Sequence, residues 1–133
     1  MFLDALKNHL VAKGITWPIY TGYLPPTPDQ VIALFETPGD DADIVSDSSE
    51  ISYDKSGFQV RVRGARLDYE SVRDQIHLCF VALHANEPAT TSGEPVFVYV
   101  YAVGSGPLPM GLDGNERHEL SWNFRTMRSR EEA

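Results

Sequence analysis

The sequence predicts a small single-domain α+β protein, a mostly antiparallel sheet of about five strands with two helices on one face, in the order α-β-β-β-α-β-β. Three observations lead there. Two segments, Phe2 to Lys13 and Asp68 to Ala85, repeat apolar residues at helical spacing. Other segments alternate, or run apolar, at strand length. Turn-forming Gly, Pro and Asp residues punctuate the intervals between them.

In the first helix, Phe2, Leu3, Leu6 and Leu10 share one stripe, and Gly14 follows Lys13 where a helix C-terminal glycine belongs. Pro18, Pro25, Pro26 and Pro28 break up any second helix there, so Thr16 to Tyr23 reads as an irregular strand. Gln30 to Thr37 reads as a buried strand, ended by a Pro38-Gly39 turn. From Phe58 to Gly64 the alternation is clean. Phe58, Val60 and Val62 should face the core, and Gln59, Arg61 and Arg63 should face out.

Asp68 is a good N-cap for the second helix. On it Tyr69, Val72, Ile76, Cys79, Phe80 and Leu83 share one face, and Asn86 and Pro88 stop it. Pro95 to Val103 is apolar on both faces, which predicts a central strand covered twice. His118 to Met127 is the last strand, with His118, Leu120, Trp122 and Phe124 alternating against Glu119, Ser121, Asn123 and Arg125. Two long connections remain, an acidic loop at about 40–56 and a Gly/Pro-rich loop at about 104–117 with an Asp113-Gly114 turn. Without an internal repeat or boundary, 1–133 is expected to be one domain.

Composition narrows the function. With 42% hydrophobic and 11% aromatic residues, the chain is globular in type. Its formal charge of -8 argues against nonspecific binding to nucleic acid or anionic membranes, which needs surplus Lys and Arg. Neither a membrane-length apolar run nor a signal-peptide pattern is visible, so no membrane partner is expected. One cysteine, Cys79, cannot form an intramolecular disulfide or a Cys-rich zinc site.

The charge is uneven. Residues 1–60 hold nine acids and three lysines, a net of -6, whereas residues 61–133 hold ten acids and all eight arginines, a net of -2. Six acids crowd into Asp40 to Asp54. A solvated loop is the plain reading of that run, although a long loop without structure of its own is often functional.

Catalytic patterns fail one by one. Cys79 lies in an apolar helical stripe, and His77, two positions away, points elsewhere. Gly104-Ser105-Gly106 lacks the spacing of a nucleophile elbow. An EF-hand read from Asp41 fails at Val45, Ser46 and Ser52. A metal nuclease built on Glu36 and Asp40 or Asp41 would want an acid-x-Lys on the next strand, where the chain has Arg61 and Arg63. The expectation is a protein without enzymatic activity, metal or cofactor.

Surplus hydrophobicity points elsewhere. Leu78 and Val81 fall away from the core face of the second helix, and Tyr99 and Tyr101 lie on the second face of the apolar strand. Two helices cannot easily cover both faces of a sheet. Either the sheet and its loops cover the second face, or it is a subunit interface, for which Tyr and Phe are suited. In the latter case Arg61, Arg63 and Arg125, on outward strand positions, are candidates to pair with acids of a neighbour.

The succession LDALKNHLVAKG, GYLPPTPDQVIALFETPG, YDKSGFQVRVRG, DYESV and PLPMGLDGNERHELSWNFR resembles the tail terminator and minor capsid proteins of long-tailed bacteriophages, over nearly the whole chain and in order. The resemblance implies a structural virion protein without catalysis, assembled in the host cytoplasm as a homohexameric ring at the head-proximal end of the tail. It further implies two partners, the major tail tube protein, whose polymerisation the ring ends, and a neck or head-completion (stopper) protein, with DNA passing through the centre without specific binding. On that reading Asp40, Asp41, Asp43, Asp47 and Glu50 are candidates to line the lumen, since carboxylates repel a duplex within about 8 Å at physiological salt. Rival readings are another neck or head-completion protein, or an acidic DNA-mimic inhibitor.

Overall fold

A computed structural model describes residues 2–38, 53–85 and 97–129. Its elements run α1 (Phe2–Ala12), β1 (Ile19–Thr21), β2 (Val31–Thr37), β3 (Tyr53–Asp54), β4 (Gly57–Arg66), α2 (Tyr69–Leu83), β5 (Phe97–Ala102), β6 (Leu108–Leu112) and β7 (Arg117–Ser129). The α+β class stands, with two short strands, β3 and β6, added to the expected order.

Both helices end as their residues dictate. Gly14, at φ +95°, lets its N–H reach Val11 O at 3.1 Å and that of Ile15 reach Leu10 O at 3.1 Å. This is the paired bonding of a Schellman cap, which needs a left-handed residue. Asp68 caps α2 by accepting from the Ser71 N–H at 3.2 Å.

β7 is the spine of the sheet. On one side it pairs antiparallel with β4, Trp122 opposite Val60, and at its end with β3. On the other side it pairs antiparallel with β6 and then β5. β4 pairs antiparallel with β2, Val60 opposite Leu34, and β2 pairs parallel with β1, Ile19 opposite Ile32. The register places Ile32, Leu34, Phe58, Val60, Val62, Leu120, Trp122 and Phe124 on one face, where they form a single buried cluster with both helices. The helices also meet each other, through His9 Nε2 and Ala82 O at 2.7 Å.

Four expectations need correction. β5 is not a central strand; among the described residues its only strand partner is β7. An irregularity between Phe97 and Tyr99 slips its alternation by one residue, so Phe97 joins Val100 in the core while Tyr101 stays exposed. The end of α2 guards the outer backbone edge of β5. Ala85 N–H donates to Val100 O at 2.7 Å, and Ala102 N–H donates to His84 Nδ1 at 3.0 Å. Such cover is one way proteins protect a strand edge.

The second correction is β6, which crosses the loop expected at 104–117. Hydrophobic patterning missed it because all five of its residues are exposed. Third, Tyr69 stands at the exposed start of α2, edge-on to the His118 ring, rather than in the core. Fourth, Arg63 lies on the outer sheet face as read, yet it is 3% exposed. Its Nη2 donates to Pro28 O at 2.7 Å and its Nε to Asp29 O at 3.2 Å.

Candidate assembly surfaces

The outer sheet face divides into a covered half and an open half. Over β2, β4 and the facing part of β7, Val31, Ala33 and Ser121 are buried, and Arg61 stretches along the surface with its guanidinium 5.0 Å from the Phe35 ring centre and Nη2 donating to Gln59 Oε1 at 2.9 Å. The chain itself thus accounts for much of the apolar excess on this side.

The cover is fastened by buried arginines. Beside Arg63, Arg117 donates from Nη1 to Pro26 O at 2.7 Å and to Asp29 Oδ1 at 3.0 Å, and from Nε to Asp113 Oδ2 at 2.8 Å. Burial pulls down the Arg63 pKa, and the neighbouring Arg117 charge adds to the effect. Desolvation would raise the Asp113 carboxyl. Backbone N–H donors of Arg117 and Asn115, with the Arg117 guanidinium, outweigh it and hold that carboxyl below the usual carboxylate range. The two fork-shaped side chains bond several carbonyls and carboxylates at fixed angles, so they hold the proline-rich segment to the sheet rather than facing solvent.

The open half lies over β5 and β7. Tyr101 is exposed there, Tyr99 and Arg125 are half-buried, and the two tyrosine rings are 5.3 Å apart. Tyr101 sits opposite Arg125 in the β5–β7 register. Tyr99, Tyr101 and Arg125 therefore come together on one surface, with Arg61 farther along the same face and Arg63 sequestered beneath the Pro26–Asp29 segment.

A second surface is the outer side of α2. Leu78 is 52% and Val81 60% exposed, matching their predicted direction away from the core. Beside them a groove of about 670 Å³ runs between α2 and Ser105–Pro107. Phe80 and Trp122 form its aromatic wall, stacked at 4.5 Å, with His77 and His84 stacked on Phe80 at 5.9 and 5.0 Å. Trp122 is 3% exposed, and its indole Nε1 has no hydrogen-bond partner among the described residues. A third surface is β6, where Leu108, Met110 and Leu112 are all exposed. The reading of residues 104–117 as loop hid this strand, since an exposed strand carries no burial pattern and the irregularity between Pro109 and Gly111 sets Leu108 opposite Ser121 but Leu112 opposite His118, on different faces.

Asp40, Asp41, Asp43, Asp47 and Glu50 lie outside the described residues. Cys79 is buried in the core, and burial pushes its thiol up to about 12, a poor nucleophile. Among the described residues no three His, Cys, Asp or Glu side chains cluster as metal ligands would. No described helix is long and apolar enough to cross a membrane.

The geometry is one of surfaces, and comparison with known proteins agrees with that character. The family model described as "Bacteriophage tail terminator protein" matches residues 3–129. Among solved structures, a chain from the virion of a native gene transfer agent particle superposes with a TM-score of 0.68 at 14% identity, covering 96% of this chain and 93% of that one. A second solved chain gives a TM-score of 0.54 at 15% identity, covering 94% and 89%. At these identities the structural matches speak to the fold. No curated protein sequence matches. The family model spans both helices and every strand of the sheet, and on that ground the chain belongs to the bacteriophage tail terminator proteins, as a structural component of the virion tail.

Proposed function

We propose that this protein assembles into a ring, hexameric as the family resemblance implies, at the head-proximal end of the tail tube. There it ends tube polymerisation and joins the tail to a neck or head-completion protein. One observation carries the reading beyond family membership. A folded subunit with a complete core still exposes Leu78 and Val81 on α2 and Leu108, Met110 and Leu112 on β6, apolar surface of the kind that marks protein–protein contact. These surfaces come from different elements, which suits a subunit that contacts both its own copies and other virion proteins. Within the ring, Asp40, Asp41, Asp43, Asp47 and Glu50 are assigned to the lumen wall, where they keep DNA from adhering.

Mixing the purified protein with its tail tube protein and viewing the product by negative-stain electron microscopy tests the assignment. Rings, or tubes capped at one end with growth arrested, are expected. A monomer without effect on tubes would sink it, and rings that leave tube growth unchanged would point instead to a neck protein docked one layer higher. For the acidic segment, Asn and Gln replacements should leave assembly intact and slow DNA ejection; unchanged ejection removes the lumen assignment.

A further inference from the structure

The outer side of α2 carries carboxylates and apolar side chains together. At about 100° per residue, Glu70, Asp74, Leu78 and Val81 form one stripe opposite the buried Val72, Ile76, Cys79 and Leu83. All four are exposed. Neither carboxylate has an ion-pair partner among the described residues. Arg73, one position before Asp74, lies about 100° round the helix, on the flank that faces the Phe80–Trp122 groove.

The open half of the outer sheet face carries the opposite charge beside aromatic rings. Arg61 donates to the neutral Gln59 side chain and has no carboxylate partner among the described residues. Gln59 Nε2 in turn donates to Asn123 Oδ1 at 3.0 Å. The amide oxygens are thereby engaged, and what this strip offers a partner is guanidinium and amide N–H. Farther along lies Arg125, with Tyr101 opposite it and Tyr99 beyond. The acid among the described residues of this face is Glu119, which stands opposite Arg63 at the covered end. Such a face favours a partner that brings carboxylates and apolar side chains.

The two surfaces also match in length and direction. From Ser121, opposite Arg61, to Arg125 the strand runs about 13 Å, and from Glu70 to Val81 the helix runs about 16 Å. Because the core side of α2 packs on the inner face of the sheet, its outer stripe and the outer sheet face lie on opposite sides of the subunit. One copy cannot join them to each other; two copies can.

We propose that the α2 stripe of one subunit packs on the open sheet face of the next copy, with Glu70 and Asp74 toward Arg61 and Arg125, and Leu78 and Val81 against Tyr99 and Tyr101. This contact rests on the ring reading and deepens it. Two different patches on opposite sides make a heterologous interface, the kind that closes into a ring when the rotation permits. It also gives the sheet a helix on its second face, which its own chain does not supply.

A charge exchange tests the contact. The sheet variant Arg61→Glu, Arg125→Glu and the helix variant Glu70→Lys, Asp74→Lys each set like charges together. Each should raise the concentration needed for ring formation by about a hundred-fold or more. Mixed in equal amounts they should form rings again, since every joint then pairs opposite charges. A cysteine pair gives a second readout. In the Val81→Cys, Tyr101→Cys double variant, oxidation should produce a ladder of linked species on non-reducing gels. The two single variants mixed together should stop at dimers, and neither alone should link. Circular dichroism confirms that each variant is folded. If the unaltered protein forms rings while both charge variants assemble equally well and the cysteine pair does not link, this contact is wrong and the ring reading survives. A double cysteine variant that stops at dimers would show a two-fold contact and overturn the head-to-tail one. If the unaltered protein forms no ring at any concentration, both readings fall.

Discussion

At Gly64, β4 approaches α2 closely, and replacing this glycine with alanine should push the two apart. A methyl group built there would overlap the Val72 Cγ2 methyl and meet Asp68 O at 3.3 Å. Val72 is fully buried and Asp68 is the α2 cap, so neither neighbour is a mobile side-chain end. Overpacking of this kind costs about 1–3 kcal/mol, partly offset by about 0.4–1 kcal/mol from the stiffer unfolded chain. Gly64→Ala should therefore destabilise by about 1–2 kcal/mol, a fall in Tm of roughly 3–10 °C for a chain of this size. Urea denaturation followed by circular dichroism reads the change.

A second variant isolates the cause. Val72→Ala alone removes two methyl groups from the core and should cost about 2 kcal/mol. Yet it also clears the space the Gly64 methyl needs. The double variant should be more stable than the sum of the two singles by about 1 kcal/mol. Strict additivity, or Gly64→Ala as stable as the unaltered protein, would show that close helix–strand approach is not what Gly64 serves.

Other outcomes follow from the buried polar groups. Arg117→Ala should destabilise by about 2 kcal/mol, because it leaves Asp113 Oδ2 and the Pro26 carbonyl without their donor while the backbone N–H bonds to Asp113 Oδ1 remain; Arg117→Lys should recover little, since one ammonium cannot replace a planar fork. The folded-state pKa of Asp113 is depressed, so its contribution is present above the unfolded value of about 3.9 and is lost as pH falls through the folded value. Stability measured from pH 7 downward should decline below about pH 4, and Asp113→Asn should remove part of that dependence. With its thiol pushed up to about 12, Cys79 should resist an aromatic disulfide reagent in the native protein and react fully in denaturant; rapid native labelling would contradict its burial.

The helices and inner strands were legible because burial imposes a period on the sequence. The stripes Phe2, Leu6, Leu10 and Val72, Ile76, Cys79, Leu83 are buried as read, and so is the alternation Phe58, Val60, Val62. Local chemistry was equally readable at Asp68 and Gly14, where the cap needs a side-chain oxygen or a left-handed backbone within a few residues. Leu78 and Val81 could be placed outward by the same helical geometry. β6 was not legible, since an exposed strand carries no burial pattern, and its existence depends on the edge β7 offers it. β5 was misplaced because an apolar run reads the same whether strands or the end of a helix cover it.

By itself, the sequence determined the α+β class, the single hydrophobic core, the unpromising environment of Cys79 and the resemblance to tail terminator proteins that the family match upholds. These depend on local periodicity, on composition or on the order of motifs along the chain. The tertiary structure decided the partners of each polar group and the contents of each surface. Arg63 and Arg61 sit two residues apart on one strand face and read alike. Only folding brings Pro28, 35 residues away, over one of them, burying that guanidinium against carbonyls while Arg61 stays at the surface. The groove beside α2 likewise joins residues 73–80, 105–107 and 122, a set that no local pattern connects.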